Sequence, residues 1–193
     1  MVQTVKVGSA EPMMAVPSEN LVVLDPAAAA GYSVWTINYG GLRVRAYRVA
    51  VEDWPAYQDY IVEVNRDTAV TPPGKKVWDG RVRTGGKADV LTETVLDLEP
   101  YLKQGKGHLI LVIEPEQTLV DAVLRSRYVP IIRVWVQATG LALDAWVDQE
   151  EMLAWASRLS DGEPLEGVSL LLSPGTVRGS TGKDGTVALR LSD

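Results

Sequence analysis

The chain of 193 residues contains no cysteine, no phenylalanine and a single histidine, His108. Without cysteine there is no disulfide framework, no thiolate nucleophile and no zinc site built on sulfur, and the redox compartment is left open. With one imidazole, a transition-metal site would have to be rich in carboxylates, and the acidic residues are scattered along the chain. Long apolar runs are also missing, so no segment spans a bilayer, and the first residues lack the charged-then-apolar plan of a secretion signal. Positive charge is in deficit: 19 Lys and Arg stand against 25 Asp and Glu, for a net charge of −6. That balance argues against a nucleic-acid partner and against binding to anionic lipid, each of which needs a basic footprint, while the missing apolar runs argue against direct membrane insertion. The one local cluster, Arg43, Arg45 and Arg48, lies in an alternating strand pattern and reads as a solvated face.

What is present is period-two alternation. Leu42, Val44 and Ala46 alternate with Arg43, Arg45 and Tyr47; Leu109, Leu111 and Ile113 alternate with His108, Ile110 and Val112. Leu141, Leu143, Ala145 and Val147 alternate with Ala142, Asp144, Trp146 and Asp148, and Val187, Leu189 and Leu191 with Ala188, Arg190 and Ser192. Strands of this kind need a partner sheet over their apolar face. Short strands punctuated by Gly, Pro, Asn and Asp indicate an all-β chain built as antiparallel sandwiches. Tyr39-Gly40-Gly41, Thr71-Pro72-Pro73-Gly74, Ser160-Asp161-Gly162 and Lys183-Asp184-Gly185 mark turns, the last as a hairpin. One helix interrupts the strands: Trp54, Tyr57, Ile61 and Val64 recur at helical spacing within 52–64, with Asp53 as N-cap and Pro55 in the first turn. We expect it over an open end of the first sandwich. A single helical turn is expected in Leu98 to Gln104, and a loop or ribbon edge from Arg66 to Lys76. The apolar run Ile131 to Ala138, broken at Gly140 and followed at once by the strand from Leu141, places a stiff domain junction near residue 139.

The candidates for chemistry each have a structural explanation. His108 has no nucleophile or orienting acid beside it in sequence and reads as a structural or surface residue. Glu52-Asp53 and Glu150-Glu151 are adjacent carboxylates that point to different sides of a strand or turn, not a facing acid/base pair. Asp161-Gly162-Glu163 and Asp184-Gly185 lack the oxygen-ligand spacing of an EF-hand. Gly179-Ser180-Thr181-Gly182-Lys183 superficially matches a phosphate-binding loop, yet Asp184 follows the lysine where Ser or Thr is required and the flanks read as strands. Of the six tryptophans, Trp35, Trp135, Trp146 and Trp155 lie on alternating strands, where core or interdomain packing competes with a carbohydrate-stacking platform. No catalytic, cofactor-binding or metal-binding residue is assigned, and the chain is not expected to be an enzyme.

Two stretches carry a family resemblance. Val34-Trp35-Thr36-Ile37-Asn38-Tyr39-Gly40-Gly41-Leu42 through Tyr47-Arg48-Val49, followed by Glu52-Asp53-Trp54, resembles the opening of the third macroglobulin-like domain of bacterial alpha-2-macroglobulins. Val134-Trp135-Val136-Gln137-Ala138, then Leu159-Ser160-Asp161-Gly162-Glu163-Pro164-Leu165-Glu166-Gly167 and Thr181-Gly182-Lys183-Asp184-Gly185, resembles the passage into the fourth. The resemblance implies two consecutive macroglobulin-like, fibronectin- or immunoglobulin-like sandwiches: 1–139, including an N-terminal strand and the short helix, and 140–193 as the first, incomplete part of the next. It implies a fragment of a larger periplasmic or extracellular endopeptidase inhibitor that is cut in a bait segment and closes around the protease, with any lipid anchor outside these residues. In such a protein these residues are scaffold, their partners are neighbouring macroglobulin domains, and target proteases meet only the full-length parent. A reactive thioester would need a cysteine, which is absent. The alternative is an exported adhesion or carbohydrate-binding pair of sandwiches.

Overall fold

A computed structural model describes residues 8–18, 20–28, 31–66, 69–119, 130–172 and 178–191. They fall into two compact units, 1–24 with 29–138 and 25–28 with 139–193.

In the first unit the strands are β1 (Met13–Ala15), β2 (Leu21–Leu24), β3 (Gly31–Ile37), β4 (Tyr39–Val49), β5 (Lys75–Arg83), β6 (Thr92–Asp97), β7 (Gly107–Thr118) and β8 (Ile132–Ala138). A five-stranded sheet runs β2-β8-β7-β4-β5 and a three-stranded sheet β1-β3-β6. Among the described residues of this unit every strand pairing is antiparallel except β2 on β8, which is parallel from Leu21 beside Trp135 to Leu24 beside Ala138. The residues anticipated to point inward do so: Leu42, Val44 and Ala46 on β4 and Leu109, Leu111 and Ile113 on β7 are buried. They pack with Val134 and Val136 of β8 against Tyr32, Val34 and Leu96 of the smaller sheet, forming the sandwich core.

The large sheet is apolar on its other face as well. Tyr47, Val49, Ile110, Val112 and Trp135 form a second core with the helix α1 (Trp54–Asn65), which contributes buried Tyr57 and Tyr60 and partly buried Trp54, Ile61 and Val64. The helix thus has the anticipated spacing but lies flat on the sheet, not over an open end, because Ile110, Val112 and Trp135 leave an apolar face that only an added layer can cover. Asp53 does not cap it. The residue already has helical dihedrals, and its Oδ2 accepts the N–H of Ala50 at 2.8 Å, closing the 3-10 turn Val51–Asp53 that precedes the helix.

Trp135 anchors this layer. Its indole N–H donates to His108 Nδ1 at 3.1 Å, and the rings of Trp54, Tyr57 and His108 stand 5.2, 5.5 and 5.6 Å from it. The Tyr57 hydroxyl donates to the Arg133 carbonyl at 3.2 Å, fastening the helix to β8.

The first turn is made one residue earlier than anticipated. Tyr39, Gly40 and Gly41 are already in β4, and the reversal is made by Asn38 at φ 60°. Asn tolerates that region, and here its side chain is fully committed. Nδ2 donates to the Ala10 carbonyl at 2.7 Å and to Asp89 Oδ1 at 3.0 Å, while Oδ1 accepts the Asp89 N–H at 2.7 Å. The expected helical turn is the 3-10 segment Glu99–Tyr101, and the end of the Arg66 to Lys76 stretch enters β5, an edge of the large sheet.

The second unit holds β9 (Leu141–Val147), β10 (Glu151–Arg158), β11 (Ser169–Leu171), β12 (Arg178–Ser180) and β13 (Thr186–Arg190), ordered β13-β10-β9 in one sheet and β11-β12 in another. Met152, Ala154 and Leu189 form its small core, with Leu170, Leu172, Val187 and Leu191 packed against it. Asp184-Gly185 does not close a hairpin within one ladder, since β12 and β13 belong to different sheets; it turns the chain from one sheet to the other. A side chain at Gly185, φ 76°, would meet the Ala156 carbonyl oxygen at 2.6 Å, so glycine is required twice over. Gly179 lets β12 lie directly on β13, because a Cβ there would sit 2.4 Å from Leu189 Cδ2. Thr181 ties the turns together: its hydroxyl donates to the Leu165 carbonyl at 2.5 Å and accepts the Val168 N–H at 3.0 Å. On β9 the anticipated inward face shares the side of Met152, Ala154 and Ala156 but is not buried, with Leu143 50% and Val147 64% exposed, because the β11-β12 pair covers β10 and β13 and does not extend over β9.

Two outcomes are expected from this packing. Burial holds the His108 pKa below the ordinary 6.5, against the opposing pull of the Glu52 carboxylate, and the Trp135 bond requires Nδ1 without a proton. The unfolded chain therefore binds more protons than the native one just below pH 6.5, so this contribution is complete above that pH and is lost as pH falls through it toward the folded pKa. A denaturation series from pH 8 to 5 shows that slope in the parent and not in His108→Asn, which keeps an acceptor near the Nδ1 position and does not titrate. The imidazole resonance, single in the spectrum, gives the depressed pKa directly. Thr181→Val, which strips two buried hydrogen bonds while keeping the shape, lowers the stability of the second unit by about 2 kcal/mol in urea unfolding.

Candidate functional site

The residues weighed for chemistry are held in structural roles. His108 Nδ1 is occupied by the Trp135 indole, so its imidazole is a neutral acceptor within the outer core. Asp148 Oδ1 accepts the N–H groups of both Glu150 and Glu151, which makes that acidic pair the tip of the β9–β10 turn. Asp161 pairs with Arg158 and accepts the Glu163 N–H at 3.1 Å, and Asp184 accepts the Thr186 N–H and hydroxyl. Backbone donors hold Asp148, Asp161 and Asp184 below the usual carboxylate range, as expected of carboxylates that accept turn N–H groups. Gly179 and Ser180 are strand residues of β12, and Thr181 is bonded to backbone, so the phosphate-loop look-alike is absorbed by packing. Among the described residues no three His, Asp or Glu side chains are grouped so as to hold a metal ion.

The tryptophans divide. Trp135 is core; Trp78 is partly buried and stacks on Tyr101 at 5.0 Å; Trp146 is 58% exposed on β9, directly across from exposed Leu153 on β10.

The arginine cluster differs most from its expected solvated face. Arg43 does lie outside, with Asp79 at 3.4 Å. Arg48 donates from Nε and Nη2 to the Tyr101 carbonyl at 3.0 and 2.6 Å, locking the turn before β7. Arg45 is on the outer face of β4, ion-paired with Glu114 of β7, and its Nε is shielded from solvent. Arg45 stands across from Val112, and Val112 across from Arg133 on β8, so the two guanidinium groups share one row of the sheet. That row floors a cavity of about 310 Å³, closed by Tyr60 and Pro72 and edged by Glu114. Tyr60 bonds to the Arg133 side chain, and burial raises its pKa; burial pushes Tyr57 up to about 12, so both phenols remain protonated at neutral pH. A second recess of about 120 Å³ lies beside Arg48, Tyr101, Lys103, Lys106 and His108. The cavity over Arg45 and Arg133 was not legible in sequence, because it depends on the register that aligns two residues 88 positions apart through a third strand.

No known family profile matches the chain, and no curated protein sequence does. Solved structures do. A segment of native alpha-2-macroglobulin from Escherichia coli spanning domains NIE and MG1 is 19% identical and superposes with a TM-score of 0.62, covering 94% of this chain and 88% of that one. A longer segment of the same protein, spanning MG0, NIE and MG1, is 18% identical at a TM-score of 0.62, covering 98% of this chain and 60% of that one. Trypsin-activated alpha-2-macroglobulin from Escherichia coli is 16% identical at a TM-score of 0.61; the match covers 93% of this chain and only 12% of that one. The matching segments are named NIE and MG1, whereas the sequence motifs pointed to the third and fourth macroglobulin domains. At this level of identity the likeness is one of architecture: the chain has the all-β fold of the NIE–MG1 part of bacterial alpha-2-macroglobulin.

Proposed function

We propose that the chain is a scaffold segment of a bacterial alpha-2-macroglobulin-like endopeptidase inhibitor, the counterpart of its NIE and MG1 domains, in the periplasm or outside the cell. The observation that carries this reading is a fold match extending over 94% of the chain and through both of its units. Residues 1–139 and 140–193 are then successive modules whose task is to space and orient the parts that meet the protease. Shape-holding contacts such as Trp135 with His108, Asn38 with Asp89, and Thr181 with Leu165 fit that task. The segment is not expected to be an enzyme, and its partners are the neighbouring domains of the same polypeptide.

Trp146 with Leu153 on an exposed strand gives the carbohydrate-binding alternative a specific observation. Two measurements separate the readings. Trypsin assayed with an equimolar amount of the isolated 193-residue chain keeps its activity, while the longer polypeptide that carries the chain shields trypsin from a protein substrate; tight inhibition by the isolated chain would overturn the scaffold assignment. On a glycan array the chain gives no signal above background, whereas retention that disappears in Trp146→Ala would establish the alternative.

A further inference from the structure

The outer face of the large sheet places two cations in one small cavity with, among the described lining residues, one carboxylate to balance them. Arg45 and Arg133 flank Val112 in one row, with their backbones roughly 10 Å apart at two strand spacings. Glu114 is the acidic residue of the lining and is engaged with Arg45 through Nη2. Arg133 gives Nη1 to the Ile131 carbonyl at 3.3 Å and bonds Tyr60. The Nε–H groups of both arginines are shielded from solvent and have no acceptor among the described residues. Among the described residues one positive charge is thus left over in a recess of a chain whose net charge is −6, and the two arginines each keep a shielded N–H without an acceptor. Buried donors are rarely left without an acceptor, and a guanidinium fork is matched by a planar oxyanion that takes two parallel bonds.

We propose that this cavity is a binding site for a carboxylate, held between the guanidinium groups of Arg45 and Arg133. A water molecule would leave the charge uncompensated; a carboxylate balances it, and each of its oxygens accepts more than one bond from the guanidinium groups that line the cavity. The Tyr60 hydroxyl at the cavity wall supplies a further donor. Val64, Val70 and Pro72 form an apolar side against which a short aliphatic stem fits. The volume of about 310 Å³ lies at the small end of ligand cavities, so the occupant has only a few carbons: a chain-terminal carboxylate or the side-chain carboxylate of an acidic residue.

The test is a titration of the ¹⁵N-labelled 193-residue chain with N-acetylglycine, representing a chain end, and with N-acetylglutamate N-methylamide, representing an acidic side chain, each against sodium chloride at equal ionic strength. Saturable amide shifts are expected at Tyr60, Val112 and Arg133 with at least one probe, and the tighter of the two identifies the source of the carboxylate. Arg133→Met weakens that binding about tenfold or more, the loss expected on removing a charge-assisted pair. Arg43→Ala, outside the cavity, binds as the parent does. If Arg133→Met does not fold, Arg133→Lys serves in its place, since it keeps the charge and loses the fork. Absence of saturation with both probes beyond the salt control, or unchanged binding in the Arg133 variant, overturns the assignment.

Discussion

The architecture of the first unit depends on one strand with no polar side. Through its middle, β7 presents Leu109, Leu111 and Ile113 one way and Ile110 and Val112 the other, all buried. A strand of this kind is stable only between two covers. The three-stranded sheet supplies one and α1 the other, so the domain is a sandwich with a helix as a third layer. Trp135 and Tyr57 then fix where the helix lies, because each buries a polar atom that must find a partner, and those partners, His108 and the Arg133 carbonyl, lie on neighbouring strands.

The second unit is organised differently. Its apolar core is slight, and its shape is set by polar pins and by glycines that allow close approach. Thr181 joins the turn after β10 to the start of β11, and Gly179 and Gly185 let backbone lie against side chain and carbonyl where any Cβ would collide. Such a unit is specified by hydrogen-bond direction and steric permission more than by buried area.

How far the sequence disclosed this follows from the range of each cause. Alternation in β4 and β7 and the helical spacing of Trp54, Tyr57, Ile61 and Val64 are local patterns, and the elements appear where those patterns lie. The helix's resting place was not legible, because Ile110 and Val112 looked like ordinary alternate positions until the sheet order placed them beside Tyr47 and Trp135. Asn38 was overlooked beside Gly40 and Gly41, since its left-handed backbone is stabilised by Ala10 and Asp89, far away in sequence. The same limit hid the Arg45 and Arg133 row. The expectation that Leu143 and Val147 would be covered failed because alternation reports a capacity for burial, whereas coverage depends on what lies opposite. The family resemblance reached the right architecture through turn motifs whose glycines and threonine are demanded by packing.

The parallel seam between β2 and β8 bears on how the protein is made. Leu21 is held beside Trp135, so this pairing closes a loop of more than a hundred residues. Such long-range closure is slow to form and cannot precede the synthesis of its later partner. During vectorial emergence of the chain, β2 must wait with its edge open until β8 arrives, and the same delay leaves the first unit unfinished for most of its own length.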